Sequence, residues 1–328
     1  MSIKKKIAVV GCGHWGKNKI RNFYELGALY CICEPNDNIA NKLSNLYSVP
    51  NLSFDEVIKN SEIDGVVLAV PVQHHASMAI KAIEHGKHVY VEKPLAANHK
   101  EGAEIVKKAK EFSAHLMVGH LLQYHPAFIK LKDIVQSKVL GKIKYIYSSR
   151  MSFGKIRSFE NVIWSFAPHD ISMVLSLVSS ELKEVRTESS CILQPDIEDI
   201  ANLDMYFDSG IKAHITVSWL NPTKEQKLVV IGENGMIVFD DTKEWKEKLS
   251  LKKYNVDFVC EEPHLSTNKE EVISVPQAEP LFEECKYFIE LLSEKVPPKT
   301  DGHEGLRVLK ALGAFTESHK NQTSVKLK

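Results

Sequence analysis

Lys93 and His169 carry the side chains of this chain that are best suited to proton chemistry at a bound hydroxyl group. Lys93 stands in Glu92-Lys93-Pro94, directly after the apolar run His88-Val89-Tyr90-Val91, and Pro94 keeps the residue before it extended. A lysine at a strand end can hydrogen-bond a hydroxyl and stabilise the alkoxide that develops during oxidation. A histidine, whose ordinary pKa is about 6.5, can accept the hydroxyl proton.

Both residues also have a structural interpretation. A lysine at this position can be a solvated surface residue. His169 follows Pro168, which predicts a helix that begins near this proline, and the histidine can be a cap residue packed beside Asp170. The strand-end position favours the functional interpretation for Lys93, whereas both interpretations of His169 stay open.

A glycine-rich turn could hold a cofactor near Lys93. Gly11-Cys12-Gly13-His14-Trp15-Gly16 follows the apolar strand Ile7-Ala8-Val9-Val10 and precedes a helical stretch. In such a turn Gly11 permits the tight bend, Gly13 lets the backbone approach a pyrophosphate, and Gly16 lets the helix pack against the strand. The phosphates then lie at the helix N-terminus. The pattern predicts a dinucleotide site, and a glycine turn without a ligand is the alternative.

Glu34 indicates which dinucleotide is bound. A second apolar run over 28–33 ends at Glu34, about 20 positions past the glycines, where a carboxylate accepts hydrogen bonds from a ribose 2′-hydroxyl. The same carboxylate repels a 2′-phosphate, and Pro35 and Asn36 follow it without a neighbouring Arg or Lys. We therefore predict NAD as the cofactor rather than NADP, with a solvent-facing strand-end acid as the alternative.

Further apolar runs predict how the first domain is built. Strands over 65–71, 88–91 and 115–119 alternate with helices, which predicts a doubly wound parallel sheet with ligands at the carboxyl ends of its strands. The residues predicted to bind the cofactor lie in the glycine turn or at the ends of these strands: Gly11, Gly13, His14, Trp15, Gly16, Glu34, Val70, Pro71, His74, Glu92, Lys93 and His120.

The rest of the chain has the alternation of an antiparallel sheet. Apolar and polar residues alternate over 203–207 and 211–219 around the turn Asp208-Ser209-Gly210, and 229–231 and 236–239 predict another hairpin. Helices at about 125–138, 167–179 and 279–294 are expected on one face, which leaves a face open as a possible oligomer interface. We predict an α/β protein with domains at 1–121 and 122–328, its last helix (about 303–319) packing back on the first.

Composition excludes several classes of function. The chain has 328 residues, enough for two domains, and a formal net charge of zero, so no general attraction to nucleic acid or to an anionic membrane is expected. No apolar run reaches membrane length, and the N-terminus passes into the first strand without a signal peptide. The six cysteines have neither zinc nor disulfide spacing. We expect a reduced cytoplasmic protein without a metal.

Polar, basic and aromatic residues are candidates for binding a polyhydroxylated substrate. Arg150, Lys155 and Arg157 are expected just after a strand that begins near Lys144, where they could bind a diphosphate, and a solvated charge run is the alternative. The residues predicted to contact substrate are Lys93, Gln123, Tyr124, His125, Arg150, Lys155, Arg157, Trp164, Ser165 and His169.

Together these motifs resemble the glucose–fructose oxidoreductase/inositol dehydrogenase family, often written Gfo/Idh/MocA. The resemblance rests on the glycine turn, Glu92-Lys93-Pro94, Ala167-Pro168-His169-Asp170-Ile171 and the run 279–309. It implies a Rossmann domain, then an α/β domain with a large, open, mostly antiparallel sheet through which dimers or tetramers form. It further implies NAD(P)-dependent oxidation or reduction of a sugar or cyclitol, with Lys93 and His169 in the catalytic positions.

One departure from the family pattern concerns His169. Many members carry an aspartate four residues before this histidine, and this chain has Ser165 there. A serine cannot stabilise an imidazolium as a carboxylate does. Either Asp170 compensates, or Lys93 carries more of the proton transfer.

Some segments are similar to a nucleotide-sugar subgroup of the family, namely 13–18, 21–23, 120–126 and 164–170. The similarity implies NAD-dependent oxidation of the 3-hydroxyl of a UDP-N-acetylhexosamine, with UDP-N-acetylglucosamine favoured. A partner aminotransferase would convert the 3-keto sugar for lipid A or surface polysaccharide. A 3-dehydrogenase of the corresponding uronate, a free sugar or cyclitol dehydrogenase, and a non-catalytic nucleotide-binding sensor stay open as alternatives.

Overall fold

The computed structural model describes residues 5–154, 156–158 and 160–327, and these form two compact units. The first unit comprises the residues up to Tyr124 and the segment Ala278–Lys310. The second comprises His125–Gln277 and the residues from Ala311 onward. The segment 278–302, which we expected in the second domain, therefore clusters with the first, as do residues 303–310 of the last helix, which we expected to pack back on the first.

Helices and strands alternate regularly up to residue 124 and strands dominate beyond it. Up to residue 124 the elements are β1 (Ile7–Val10), α1 (His14–Glu25), β2 (Leu29–Cys33), α2 (Asp37–Tyr47), α3 (Phe54–Lys59), β3 (Gly65–Leu68), the 3-10 helix Val72–His74, α4 (His75–Glu84), β4 (His88–Glu92), α5 (His99–Glu111), β5 (Leu116–Gly119) and the 3-10 helix Leu121–Tyr124. Beyond it they are α6 (Pro126–Gln136), β6 (Ile143–Phe153), α7 (Val162–Leu177), β7 (Leu182–Ser190), β8 (Ile200–Phe207), β9 (Lys212–Ser218), β10 (Leu220–Gly232), β11 (Gly235–Asp240), the 3-10 helix Trp245–Glu247, β12 (Leu249–Val259), β13 (Glu262–Thr267), β14 (Glu271–Val272), α8 (Pro280–Leu292), α9 (Gly302–Asn321) and β15 (Val325–Lys326).

The first unit contains a parallel sheet with the strand order β2–β1–β3–β4–β5. Val10 at the end of β1 pairs with Cys33 and Leu68, and Glu92 at the end of β4 pairs with Gly119. Because these strands run in the same direction and end in register, the residues that follow them meet at one edge of the sheet. The predicted doubly wound parallel sheet is confirmed.

Helix α8 packs in the first unit, whereas we expected it to cover the antiparallel sheet. Its Phe288 ring lies 6.4 Å from that of Phe23 on α1 and 5.5 Å from that of Tyr90 on β4, measured between centroids. Gly65 leaves room for this contact, since a Cβ atom there would lie 2.9 Å from Phe288. The helix therefore completes the core of the parallel-sheet unit.

The second unit contains a large, mostly antiparallel sheet. Its main strand order is β13–β12–β11–β10–β6–β9–β8–β7–β15, and β14 pairs with β12. Strands β6 and β9 pair in parallel, while β8–β9 and β10–β11 are antiparallel. The two predicted hairpins are confirmed, and Gly210, with φ of +84°, adopts the left-handed conformation that the turn between β8 and β9 requires.

Helix α7 begins earlier than we expected. It starts at Val162, because Asn161 caps it by accepting a hydrogen bond from the N–H of Trp164 at 3.0 Å. Pro168 consequently lies inside the helix rather than at its start. The interpretation of His169 as a cap residue is therefore wrong.

Within the described residues no helix is long and apolar enough to span a membrane. The same residues contain no group of three or more metal-binding side chains.

Candidate active site

A cavity of about 780 Å³ lies at the strand ends of the first unit. It includes six of the residues predicted to bind the cofactor: Gly11, Gly13, Glu34, Val70, Pro71 and His74. The space is therefore bounded by the glycine turn, by the end of β2 and by the segment after β3.

The glycines of the turn meet three different geometric requirements. Gly11 has a φ of +86°, and a Cβ atom on it would lie 2.7 Å from the carbonyl oxygen of Ala69. A Cβ atom on Gly16 would lie 1.9 Å from the carbonyl oxygen of Gly11, so the helix packs against the turn only with glycine there. Beside Gly13 no atom lies within 4 Å of a Cβ position, which leaves open space at the N-terminus of α1.

The N-terminus of α1 fits a bound pyrophosphate. Its N-cap is Gly13, which supplies no capping side chain, and its first turn has no acidic residue. Backbone N–H groups at a helix N-terminus and the helix dipole attract phosphate. His14 and Trp15 are exposed in this turn, where their N–H groups can face the ligand.

Gly13 and Gly16 give a matched pair of substitutions. We expect Gly13→Ala to preserve the fold, because its methyl group meets no protein atom, and to weaken NADH binding by about tenfold or more. Gly16→Ala should lower the melting temperature, since its methyl group overlaps the backbone of Gly11. Fluorescence titration with NADH and thermal unfolding measure the two effects. Unchanged NADH affinity in Gly13→Ala would contradict the pyrophosphate position.

Glu34 presents its carboxylate beside the glycine turn. Its Oε2 accepts a hydrogen bond from the N–H of Cys12 at 2.8 Å, and its Oε1 accepts one from the N–H of Asn36 at 3.0 Å. Asn51 holds the Glu34 backbone from both sides, accepting from its N–H at 2.9 Å and donating to its carbonyl oxygen at 3.2 Å. The carboxylate is thus fixed at the cavity wall, where the sequence predicts a ribose contact.

Lys93 lies half-buried at the end of β4, and the Lys93–Pro94 peptide bond is cis. His75 joins this strand end to the cavity wall: its Nδ1 lies 2.9 Å from the carbonyl oxygen of Pro94, and its Nε2 lies 2.9 Å from that of Val70. Burial lowers the pKa of His75. We did not predict a role for this histidine, which follows the predicted ligand His74 directly.

Lys19 forms two ion pairs that we did not predict, one of them with Glu92, the residue before Lys93. Lys19 Nζ lies 2.7 Å from Glu92 Oε1 and 3.6 Å from Glu284 Oε2, and it lies over the Tyr90 ring, 3.9 Å from the centroid. Burial acts to lower the pKa of Lys19, but the two carboxylates outweigh it and the pKa is raised. Lys19 occupies the inward stripe of α1 between Gly16 and Phe23, and a charge on an apolar stripe signals a buried partner.

The residues that follow β5 are engaged within the first unit. His120 Nδ1 lies 2.5 Å from Glu304 Oε2, and the Tyr124 hydroxyl lies 2.8 Å from Thr300 Oγ1. Burial raises the pKa of Tyr124. His120, Gln123 and Tyr124 are all buried, and the segment 278–310 supplies partners for His120 and Tyr124, where we expected cofactor or substrate.

His125 is a structural residue of the second unit. Its Nδ1 accepts a hydrogen bond from the N–H of Ala127 at 3.1 Å and so caps α6, while its Nε2 lies 3.3 Å from Asp241 Oδ1. Its ring stacks on Trp245 at 5.2 Å. Burial acts to raise the pKa of Asp241, but bonds from His125 and Lys248 lower it to about 2. Both ring nitrogens are therefore engaged within the second unit, and the predicted substrate contact of His125 gains no support from this geometry.

The two described arginines of the predicted diphosphate cluster each pair with a carboxylate. Arg150 lies inside β6 rather than after it, and its Nε lies 2.5 Å from Asp170 Oδ2. Arg157 Nε lies 3.2 Å from Glu160 Oε2, and Lys155 falls outside the described residues. Strand alternation points Arg150 toward α7 instead of toward solvent, which explains its pairing with Asp170.

Asp170 is engaged with β6. Besides Arg150, it accepts a hydrogen bond from the Ser148 hydroxyl at 2.5 Å, and its side chain is buried. These contacts assign the Asp170 carboxylate to the helix–sheet interface. The interpretation that Asp170 replaces the carboxylate missing at Ser165 therefore finds no support in the geometry.

Helix α7 places the remaining predicted residues. Ser165 and His169 lie four positions apart and thus on the same side of the helix, with the serine buried and the histidine half-buried. Trp164 Nε1 donates to Thr316 Oγ1 at 3.0 Å, and Asn161 Nδ2 donates to Glu198 Oε2 at 2.6 Å. These bonds fix the N-terminal turns of the helix that carries His169.

The parallel sheet, the glycine turn and the Glu34 carboxylate define a dinucleotide-binding Rossmann unit, which a large sheet follows in the chain. Residues 5–120 match the family model described as an oxidoreductase family with an NAD-binding Rossmann fold, and residues 128–238 match that of the GFO/IDH/MocA C-terminal domain. The chain belongs to the Gfo/Idh/MocA oxidoreductase family. The predicted family, fold class and NAD cofactor are confirmed.

Several proteins resemble this chain over much of its length. UDP-N-acetylglucosamine 3-dehydrogenase of Acidithiobacillus ferrooxidans is 24% identical over 322 residues, 94% of this chain and 95% of that protein. A structure of it superposes with a TM-score of 0.85 at 22% identity, covering 96% and 97% of the two chains. The scyllo-inositol 2-dehydrogenase (NAD(+)) of Bacillus subtilis is 26% identical over 253 residues, 72% of this chain and 74% of that protein.

A third similar protein has been crystallised with ligands. The WlbA dehydrogenase of Bordetella pertussis, in complex with NADH and UDP-GlcNAcA, gives a TM-score of 0.79 at 20% identity and covers 99% of both chains. This likeness concerns the fold.

Proposed function

We propose that this protein catalyses the NAD-dependent oxidation of the 3-hydroxyl of a UDP-N-acetylhexosamine, with UDP-N-acetylglucosamine as the substrate. The observation that carries the proposal is the similarity to the Acidithiobacillus ferrooxidans UDP-N-acetylglucosamine 3-dehydrogenase, which extends over 94% of this chain and 95% of that protein. Lys93 at a strand end beside the cofactor cavity supports the same chemistry.

The proposed roles follow from the position of each side chain. Lys93 binds the substrate hydroxyl and stabilises the developing alkoxide, and His169 or Lys93 itself receives the proton. NAD, when bound, supplies the hydride acceptor. Glu34 holds the ribose, and the N-terminus of α1 holds the pyrophosphate. Trp164, Ser165 and Arg157 are the proposed substrate contacts.

The proposal extends to the enzyme that uses the product, to the oligomeric state and to the cellular location. The 3-keto product is a substrate for an aminotransferase, which would convert it to a 3-amino sugar. The open face of the large sheet is the proposed contact between copies of the chain in a homodimer or homotetramer. We place the protein in the cytoplasm, where nucleotide sugars are made.

A free cyclitol is the second candidate substrate, and one observation favours it. Arg150 and Arg157, the described arginines predicted to bind a diphosphate, are paired with Asp170 and Glu160. The similarity to the scyllo-inositol 2-dehydrogenase of Bacillus subtilis points the same way.

A substrate panel separates these candidates. NADH absorbance is followed with UDP-N-acetylglucosamine, its uronate, free N-acetylglucosamine and myo- and scyllo-inositol, each with and without an aminotransferase that removes the ketone. We expect NADH formation with UDP-N-acetylglucosamine, enhanced by the aminotransferase. A preference for an inositol would replace the proposal by its second candidate, and no NADH with any compound would favour a sensor.

A further inference from the structure

Three charged side chains from separate segments of the chain form a cluster beside the backbone of Lys93, and two of the three are fully buried. Lys19 comes from α1, Glu92 from the end of β4, and Glu284 from α8, and the side chains of Lys19 and Glu284 are 0% and 1% exposed. Removing charges from water is costly unless they are paired. Here one cation faces two carboxylates, so the cluster has one more negative than positive charge when both acids are ionised.

Contacts connect this cluster to Lys93. Lys19 Nζ lies 2.7 Å from Glu92 Oε1 and 3.6 Å from Glu284 Oε2, so the two carboxylates share it. The other oxygen of Glu92, Oε2, accepts a hydrogen bond from the backbone N–H of Lys93 at 3.1 Å. Gly119 leaves room for this carboxylate, since a Cβ atom there would lie 3.1 Å from Glu92 Oε2.

Protonation of Glu284 changes how the carboxyl groups of Glu92 and Glu284 share the Lys19 ammonium group. The titratable groups that face it are Lys19 from α1, Tyr90 and Glu92 from β4, and His120 and Tyr124 after β5, with Cys285 beside it on α8. Burial raises the pKa of Glu284 to about 7, against the opposing effect of Lys19. When Glu284 is neutral, Lys19 pairs with Glu92 alone. When Glu284 is ionised, it competes with Glu92 for the same ammonium group.

We propose that Glu284 is a positioning residue for Lys93: its protonation determines how firmly Lys19 holds Glu92, and through Glu92 the backbone of Lys93. The neutral form of Glu284 is the one that holds the strand end firmly. The catalytic consequence rests on the proposed function, whereas the coupling between Glu284 and Lys93 is a property of the protein alone.

Glu284→Gln fixes the neutral form without changing the size of the side chain, and Glu283→Gln on the same helix is the matched control. In protein labelled with ¹³C-lysine, the Cε resonance of Lys93, assigned by its loss in Lys93→Arg, is followed with pH. We expect an inflection at about pH 7 in the wild type and in Glu283→Gln, and its loss in Glu284→Gln. An inflection that persists in Glu284→Gln, or is absent from the wild type, would overturn the proposal.

Thermal unfolding shows whether the variant folds and checks the sign of the effect. Because the pKa of Glu284 is raised above the ordinary value of a glutamate, its contribution to stability is lost as pH rises to about 7. We expect the melting temperature of Glu284→Gln to lack this decline. A decline of equal size in both proteins would contradict the assignment.

Activity gives an independent readout. We expect kcat of Glu284→Gln to equal that of the wild type at about pH 6 and to exceed it by about threefold at about pH 8.5, with KM for NAD unchanged. A constant kcat ratio across this range would indicate a structural role only and contradict the proposal. If no sugar is oxidised while the Lys93 resonance behaves as expected, the coupling is supported and the proposed function is contradicted.

Discussion

Replacing Lys93 with alanine is expected to lower kcat by about 10²-fold or more, because the alkoxide then develops without a cation beside it. NADH affinity should stay within about twofold of the wild type, since Lys93, although predicted from its position to contact the cofactor, does not line the cavity at the glycine turn. Single-turnover kinetics with UDP-N-acetylglucosamine and NAD, together with NADH fluorescence titration, measure the two quantities.

Two further variants sharpen this prediction. Lys93→Arg keeps the positive charge but not the compact ammonium geometry, so it should recover only part of kcat. Lys100→Ala removes an exposed lysine of α5 in the same unit and should leave both quantities unchanged. Retention of most of kcat in Lys93→Ala, with intact cofactor binding, would show that another residue supports the alkoxide.

The second large effect concerns stability. Asp170→Ala is expected to lower the free energy of unfolding by about 3–5 kcal/mol, because it leaves the Arg150 guanidinium without its partner in a buried interface. The double substitution Arg150→Met with Asp170→Leu removes both charges and should recover most of the loss. Urea denaturation gives the free energies of unfolding.

The same variant tests whether Asp170 compensates for the aspartate that Ser165 replaces, or whether Lys93 carries more of the proton transfer. Asp170→Ala should retain kcat at a temperature where it is folded, because its carboxylate contacts Arg150 and Ser148. A large loss of kcat with unchanged stability would instead mean that Asp170 compensates for the carboxylate that Ser165 lacks.

The architecture of the first unit was predictable because local patterns encode it. Apolar runs that end at Val10, Cys33 and Gly119 read directly as buried strands, and Gly11 and Gly16 stand where the turn leaves no room for a Cβ atom. The hairpins of the second unit follow from strict alternation around turns such as Asp208-Ser209-Gly210.

Contacts distant in sequence were not predictable in this way. An amphipathic helix such as α8 shows that it has a buried face but not which sheet it covers, so the place of Glu284 beside Lys19 was hidden. Likewise, the periodicity around Arg150 does not reveal that Asp170 on α7 neutralises it. Segments distant in sequence therefore bury or pair several of the polar residues that we predicted to bind a ligand.

The most direct test of the proposed reaction uses UDP-N-acetylglucosamine deuterated at C3. We propose that the hydride leaves this carbon alone, with Lys93 stabilising the alkoxide and NAD in the cofactor cavity accepting the hydride. We expect mass spectrometry to find the deuterium in the reduced nicotinamide, and the rate of a single turnover to fall with the heavier isotope. Reduced cofactor without deuterium, or no reduction of NAD by this sugar, would contradict the proposed reaction.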